Sequence, residues 1–181
     1  MTTARTPRIS PVLPEARTEA QRRVAEAVES GPRGAVRGPF AVLLHSPEAF
    51  DRVQRLGAYL RYDGLLPADL RELAVLVTAR AWSQDYEWAA HAPLAEQAGV
   101  DRSAIAQIER GAPPTALSRD QALVHEFCVQ LHATTRVDDA TFAAVRGLLG
   151  EAALIDLCVL CGYYALLAMV LNVAQAPVAP A

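Results

Sequence analysis

The chain has 181 residues, 52% of them hydrophobic and 20% charged, which is enough for one folded domain with a sizeable core. The formal net charge of -3 argues against a general positive surface for nucleic acid. All 17 cationic residues are arginines. The absence of lysine excludes Schiff-base, pyridoxal phosphate and P-loop chemistry, because each of these needs a lysine amine.

The first 14 residues contain three prolines and mixed polarity, and they predict a flexible N-terminal leader. This leader carries no apolar targeting segment, and the chain has an odd number of cysteines, Cys128, Cys158 and Cys161. Proteins of oxidising compartments more often carry paired cysteines. We therefore expect a cytoplasmic protein.

Apolar residues at helical spacing predict an amphipathic helix over residues 15–30, which ends in a loop rich in glycine and proline. A short apolar piece at 40–44 leads to Ser46, which can cap a helix that begins at Pro47 and ends near Tyr62. The next helix opens at Pro67. Its residues 73–79 contain no charge, so we expect this helix to be buried on all sides.

Five further helices are predicted after this buried one, over residues 85–98, 103–110, 118–132, 138–150 and 151–174. No stretch alternates in the way that a strand requires. The fold class is therefore predicted to be all-α, with a single domain of about seven or eight helices over residues 15–175 and a tail over 176–181.

The last helix is uncharged from Leu157 onward and is long enough to span a membrane. Asp156 precedes the apolar run, Asn172 interrupts it, and no basic residue follows as an anchor. These features favour a central helix whose remaining surface is covered by another subunit. We therefore expect self-association and no membrane partner.

Glu87 and His91 are four residues apart and share one helix face, which continues into Leu94, Ala95 and Ala98. The pair thus lies on the side that should face the core, where each group shifts the pKa of the other. Glu72 stands at the start of the neighbouring uncharged stretch and can reach the same place. The alternative is a simple stabilising contact between Glu87 and His91.

These residues resemble the carboxymuconolactone decarboxylase family, which shares its fold with the alkylhydroperoxidase AhpD. The resemblance rests first on the runs 70–74 and 86–91, in which Arg71-Glu72 and Tyr86-Glu87-Trp88 with His91 stand at the family's spacing. It extends over residues 36–175 through the strings at 38–40, 45–47, 59–62, 162–164 and 171–172.

AhpD-type members carry a Cys-x-x-Cys whose second cysteine lies four residues before the histidine. Gln84 and Glu87 occupy these two positions here, so the chain resembles the branch without the redox pair. The resemblance implies a decarboxylase of a carboxylated unsaturated lactone, acting in bacterial aromatic catabolism without a cofactor. In that reaction His91 is the expected acid or donor, Glu87 orients it and holds a proton, and Glu72 completes the relay.

The expected substrate is an anion, a small organic acid or lactone, and we expect Arg61 and Arg71 to bind it. Side chains expected to shape the pocket are Tyr59, Tyr86, Trp88, Phe40 and His45. The family's trimers and hexamers imply a homo-oligomer. His125 and His132 lack the further ligands that a metal needs, so no metal or other cofactor is expected.

Three alternatives remain. A family paralog could run an isomerase, hydratase or decarboxylase reaction on another small organic acid with the same Glu and His residues. A redox protein of the AhpD peroxidase type could use Cys158 and Cys161, although this Cys-x-x-Cys lies within an apolar helix, where a thiolate is not stabilised. The third alternative is a non-catalytic oligomeric binding protein.

Overall fold

The computed structural model describes residues 7–175, which form eight α-helices and, within this range, no strand. The all-α prediction is confirmed. After a 3-10 turn at Pro14–Ala16, the helices are α1 Glu19–Glu29, α2 Pro39–Leu43, α3 Pro47–Ala58, α4 Ala68–Ala81, α5 Asp85–Gln97, α6 Arg102–Glu109, α7 Arg119–Thr134 and α8 Asp139–Ala174. The tail predicted over 176–181 lies outside the described residues, as do the first six residues of the leader.

Helix α4 is the centre of the packing. Every residue from Glu72 to Ala79 is buried, because α5, α6, α7 and α8 cover the helix on its different sides. The predicted burial of the uncharged stretch is therefore confirmed. The larger part of the apolar core lies between α4, α7 and α8, and a smaller part, around Leu73 and Leu76, lies towards α5 and α6.

Side-chain caps set several of the helix starts. Thr18 and Ser118 form reciprocal capping boxes, and Asp101 and Asp138 accept hydrogen bonds from backbone N–H groups of the first turn. Because Thr18 caps α1, this helix begins four residues later than the predicted start at residue 15. Ser46 stands at the N-cap of α3, but its side chain makes no capping hydrogen bond.

The two helices predicted over 138–150 and 151–174 are joined into α8, which bends sharply at Gly150. Gly150 has φ +73° and ψ 173°, a backbone conformation that essentially only glycine adopts. By length and composition α8 passes for a membrane span, but 61% of its most apolar window is buried within the protein. That burial is typical of the core helix of a compact domain.

Hydrogen bonds attach the described part of the leader to the helices. The backbone N–H groups of Arg8 and Ile9 donate to the carbonyl oxygen of Ala174, over 2.8 and 3.1 Å. His45 Nε2 donates to the carbonyl oxygen of Ser10 over 2.8 Å. This contact places His45 at the surface beside the leader.

Helix α3 continues into one turn of π-helix, Tyr59–Asp63. The buried carboxylate of Asp156 on α8 fixes this turn, because it accepts hydrogen bonds from the Tyr59 hydroxyl and the Leu65 N–H, each over 3.0 Å. The turn carries Arg61, and its anchoring holds that arginine at the edge of the site described below.

We expect Gly57→Ala to destabilise the protein by about 1–3 kcal/mol, although alanine is the better helix former. A Cβ atom at Gly57 in α3 would collide with the hydroxyl and ring of Tyr163 on α8. Gly147→Ala is the matched control, since the space around Gly147 in α8 is open, and it should stabilise by up to about 1 kcal/mol. Urea unfolding of both variants measures the two signs, and a stabilised Gly57→Ala would contradict the packing described here.

Candidate active site

A tight turn at residues 82–84 reverses the chain between α4 and α5, so that the two helices pack side by side. Ser83 in this turn has φ +49°. Glu72 lies near the start of α4, and Glu87 and His91 lie on the face of α5 that meets it. The three predicted catalytic side chains are thus brought together, with exposed fractions of 4%, 3% and 5%.

Glu72 holds the His91 ring. Its Oε2 lies 2.6 Å from His91 Nδ1, and its Oε1 accepts from Arg71 Nε over 3.3 Å. Burial by itself would raise the pKa of Glu72, but the hydrogen bond and charge of His91, together with Arg71, hold this pKa below its usual value. An ionised Glu72 accepts a hydrogen bond from the Nδ1–H group of His91, so in the neutral imidazole Nε2 carries no hydrogen and is the free acceptor.

Glu87 faces the other ring nitrogen. Its Oε2 lies 3.6 Å from His91 Nε2, and its Oε1 is buried without a hydrogen-bond partner among residues 7–175. Burial raises the pKa of Glu87, and the opposing effects of His91, Arg33 and Arg61 are smaller. A carboxyl group of this kind stays protonated to higher pH than an exposed one, and it can give its proton to Nε2 or to a bound molecule.

The structure corrects one predicted role. Glu87 was expected to orient His91, but the short hydrogen bond that fixes the ring comes from Glu72. Tyr164 supports the ring from α8, with the two ring planes nearly perpendicular and their centroids 5.0 Å apart. Glu87 is left as the carboxyl group that faces the open space.

That open space is a cavity of about 440 Å³, walled by the loop before α2, the π-turn after α3, α5 and α8. Glu87 and His91 line it together with Arg33, Arg37 and Arg61. Its remaining wall is largely apolar and aromatic, formed in part by Phe40, Tyr86, Leu94, Tyr163, Tyr164 and Leu167. A cavity of this size, apolar with a few convergent charges, is typical of a small-molecule site.

Arg33 is held in place from two sides. Its guanidinium lies 4.5 Å from the centre of the Phe40 ring, and its Nη2 is 3.5 Å from the Tyr163 hydroxyl. Arg33 Nε is buried without a hydrogen-bond partner in the described part of the chain. One donor and one acceptor, Arg33 Nε and Glu87 Oε1, therefore remain unpaired beside the same cavity, and buried polar atoms normally have partners.

Close backbone packing shapes one wall. Gly38 has φ +57°, and a Cβ atom there would collide with the ring of Tyr86. Glycine is thus required at this position both for the backbone conformation and for the approach of the tyrosine.

Two tyrosines of α8 in the cavity wall have raised pKa values. Burial raises the pKa of Tyr164 well above its usual value and that of Tyr163 to about 12, so both hydroxyls stay protonated and can donate hydrogen bonds.

Three of the seven predicted substrate-binding residues line the cavity, namely Arg61, Tyr86 and Phe40. The other four lie elsewhere in the structure. Arg71 contacts the Glu72 carboxylate, Tyr59 donates to Asp156, Trp88 packs against the smaller core near Leu73, and His45 contacts the leader.

Arg33, Arg37, Tyr163 and Tyr164 line the cavity but were not among the predicted site residues. A signal for the arginines existed, since both lie in the loop between α1 and α2, whose glycines and prolines mark a segment able to approach a ligand. The tyrosines sit in an apolar helix, where the sequence alone does not distinguish a cavity wall from ordinary core.

His125 and His132 lie together on a second cavity, away from the first. No group of three or more histidine, cysteine, aspartate or glutamate side chains could hold a metal ion within residues 7–175. The first cavity presents carboxyl, imidazole, guanidinium and phenol groups.

Solved structures with the same architecture define the fold as AhpD-like. An uncharacterized peroxidase-related protein with an alkylhydroperoxidase AhpD core, from Ralstonia eutropha JMP134, is 21% identical with a TM-score of 0.76, over 99% of this chain and 94% of that one. An uncharacterized peroxidase-related protein from Silicibacter sp. TM1040 is 17% identical with a TM-score of 0.73, over 100% of this chain and 95% of that one. At these identities the likeness shows the fold.

The sequence also matches a family model. Residues 47–125, which include Glu72, Glu87 and His91, match the model of the carboxymuconolactone decarboxylase family. This match confirms the resemblance stated above over that stretch of the chain. No curated protein matches the chain.

Gln84 and Glu87 stand where the resemblance places the redox cysteines. Gln84 has a structural role, because its Oε1 accepts from the Tyr86 N–H over 3.0 Å and its Nε2 donates to Asn172 on α8 over 2.8 Å. Glu87 supplies an oxygen acid in place of the sulfur. The cavity wall contains no thiol among the described residues.

We expect Glu87→Gln to remain folded and to gain stability relative to the wild type as the pH rises. The raised pKa means that the folded state binds this proton more tightly than the unfolded state, whose carboxyl pKa is about 4.3. The free energy of unfolding of the wild type therefore falls as the pH rises from there through the raised pKa, whereas glutamine does not ionise.

Melting temperatures of wild type and Glu87→Gln across this pH range measure the effect. The exposed Glu109→Gln on α6 is the matched control and should follow the wild type at every pH. Parallel profiles for wild type and Glu87→Gln would contradict a raised pKa at Glu87.

Proposed function

We propose that this protein is a cofactor-independent decarboxylase of a carboxylated unsaturated lactone resembling γ-carboxymuconolactone, and that it works by acid–base chemistry of Glu87 and His91. One observation carries the proposal. The buried Glu72–His91–Glu87 array ends at a cavity that also presents arginines, with Arg33 Nε and Glu87 Oε1 still unpaired. An anionic substrate would accept a hydrogen bond from Arg33 Nε, and its reacting carbon would accept the proton that Glu87 carries.

Binding falls to the three arginines. Arg33, Arg37 and Arg61 surround one part of the cavity, and a guanidinium pairs with a carboxylate through two parallel hydrogen bonds. The aromatic wall, with Phe40 and Tyr164 among its members, suits a flat unsaturated ring. These groups would hold the substrate with its reacting carbon near Glu87.

In the reaction the bond between the ring carbon and the carboxylate breaks, and carbon dioxide leaves. The electron pair of that bond passes into the conjugated lactone and forms a dienolate. The arginines stabilise the negative oxygen, since they place positive charge at the wall of the cavity in which it forms. Protonated Glu87 then gives its proton to carbon. His91 Nε2 accepts a proton from solvent and passes it to Glu87, while Glu72 holds the ring through Nδ1.

The same groups would serve a family paralog that moves a proton on another small organic acid, as an isomerase, hydratase or decarboxylase. The arginines favour a carboxylated substrate, and the Glu–His pair does not distinguish among these reactions. Screening unsaturated acids against the folded protein separates them. A thiol peroxidase reaction does not fit this site, because Glu87 stands where the resemblance places a redox cysteine.

We expect the wild type to turn over γ-carboxymuconolactone with loss of ultraviolet absorbance and release of carbon dioxide. His91→Ala and Glu87→Gln should each lower kcat by about 10²–10⁴, because each removes a proton-transfer group. His125→Ala on α7, which lies outside this cavity, is the matched histidine control and should leave turnover unchanged.

The outcomes separate the alternatives. Folded protein that acts on another unsaturated acid with the same dependence on His91 would replace the lactone by that acid. Folded protein that acts on no such acid would support a non-catalytic binding protein and would overturn the proposal.

We also propose that the protein is a homo-oligomer held by α8. Its outer face carries a stripe at positions 155, 159, 162, 166, 169 and 173, alternating by four and three residues. All are apolar or glycine, and Ile155, Leu166, Met169 and Val173 are exposed. This spacing is that of a helix–helix seam, and the stripe is uncharged, so a second copy of the same helix is its best match. The resemblance implies a trimer or hexamer.

Leu166→Asp should convert the oligomer into a monomer, because it places a charge in the middle of this seam. Phe142→Asp is the matched control. Phe142 lies in α8 before the bend at Gly150, outside the stripe, and its exposed fraction is 42%, compared with 38% for Leu166. Light scattering on a sizing column measures both masses. A monomeric wild type, or equal masses for the two variants, would contradict the proposed interface.

A further inference from the structure

A second cavity, of about 530 Å³, lies between α4, α7 and the end of α6. Val77 and Ile108 form its buried part, and Val129 stands exposed beside them. No residue of its wall is shared with the first cavity, and none belongs to α8. The second cavity is therefore a separate place on the molecule, and its largely apolar wall is of the kind found in small-molecule sites.

Helices α4 and α7 run in the same direction along this cavity. At their starts, Gln121 Nε2 donates to a carboxylate oxygen of Asp69 over 3.0 Å. Near their ends, His132 Nε2 lies 2.9 Å from Thr78 Oγ1. Arg80 comes two residues after Thr78, so it lies at the end of the cavity where both helices finish.

The opposite end of the cavity carries His125 and Glu126. Ala133 is the last residue of α7 in the wall, and Glu126 precedes it by roughly 10 Å along the helix axis, because an α-helix rises about 1.5 Å per residue. Burial lowers the pKa of His125, so this ring is uncharged at neutral pH. The cavity is thus elongated, with Arg80 at one end and Glu126 at the other.

Arg80 brings a positive charge to this wall, and no carboxylate of residues 7–175 forms an ion pair with it. Its guanidinium lies against the turn after α6, where a Cβ atom at Gly111 would be 3.3 Å from Nη2. Glu126, in contrast, already accepts a hydrogen bond from Gln130 Nε2 over 2.9 Å. The charge that lacks a partner in this cavity is therefore the positive one, and it suits an anion.

We propose that the second cavity binds a small apolar carboxylic acid, with its carboxylate at Arg80 and its hydrocarbon part against Ile108 and Val129. A guanidinium pairs with a carboxylate through two parallel hydrogen bonds. The apolar wall removes the hydrocarbon part from water, which supplies the rest of the affinity. This binding does not depend on the reaction proposed for the first cavity, since the two walls share no residue.

The four histidines of the chain report on the two cavities separately. His91 lines the first cavity, His125 and His132 line the second, and His45 lies beside the leader, outside both walls. The probe is octanoate, whose chain is comparable in length to the second cavity.

The full chain is prepared with isotope-labelled histidine, its four imidazole resonances are assigned with single His→Gln variants, and octanoate is added below its micelle concentration. We expect saturable shifts at His125 and His132 and an unchanged resonance of His45.

Arg80→Gln should weaken octanoate binding, read at His125, at least about tenfold, because it removes the charge-assisted pair with the carboxylate. Arg136→Gln is the matched control, since Arg136 is exposed beyond the end of α7 and outside the cavity wall, and it should keep the wild-type affinity. Unchanged His45 and His91 resonances in Arg80→Gln show that this variant is folded. Octanol and octylamine should bind the wild type at least about tenfold more weakly than octanoate.

Four outcomes would each overturn the proposal. They are the absence of shifts at His125 and His132, shifts confined to His91, equal affinity for octanol or octylamine, and wild-type affinity in Arg80→Gln. Shifts confined to His91 would place the acid in the first cavity only. Equal affinity for octanol would mean that the apolar wall acts alone.

Discussion

The arrangement of this protein depends on one constraint, which is that α4 has no side that can face water. A helix without charge from residue 73 to 79 has to be covered all round, and α5, α6, α7 and α8 do so. The functional side chains on these four helices are therefore held in fixed positions around α4. Directly before this uncharged run of α4, Glu72 introduces a carboxylate into the interior.

A buried carboxylate is costly unless it is paired and hydrogen-bonded, and Glu72 is both. His91 and Arg71 share its two oxygens, so its charge is retained. Glu87, one helical turn before His91, is buried with its Oε1 unpaired in the described part of the chain, and burial raises its pKa. The pKa values of two glutamates within reach of one imidazole are therefore shifted in opposite directions because their surroundings differ, which is the arrangement that proton transfer requires.

The sequence alone predicted those features that depend on the periodicity of a single helix. The uncharged run of α4 and the four-residue spacing of Glu87 and His91 follow directly from helical geometry, and both predictions agree with the structure. The contacts across the chain were not accessible in this way. That Glu72 rather than Glu87 grips the ring, and that Cys161 faces Cys128 rather than Cys158, depends on how α4, α7 and α8 are rotated against one another.

The cavity draws its two kinds of chemistry from different kinds of segment. The proton-carrying groups project from the packed pair α4 and α5, whereas Arg33 and Arg37 belong to the irregular stretch between α1 and α2. Packed helices tolerate little change, but a surface loop tolerates substitution and insertion. Ligand preference in this scaffold can thus diverge by redesign of one short loop while the reactive centre stays intact, which makes residues 31–38 the natural segment to randomise when new acids are sought.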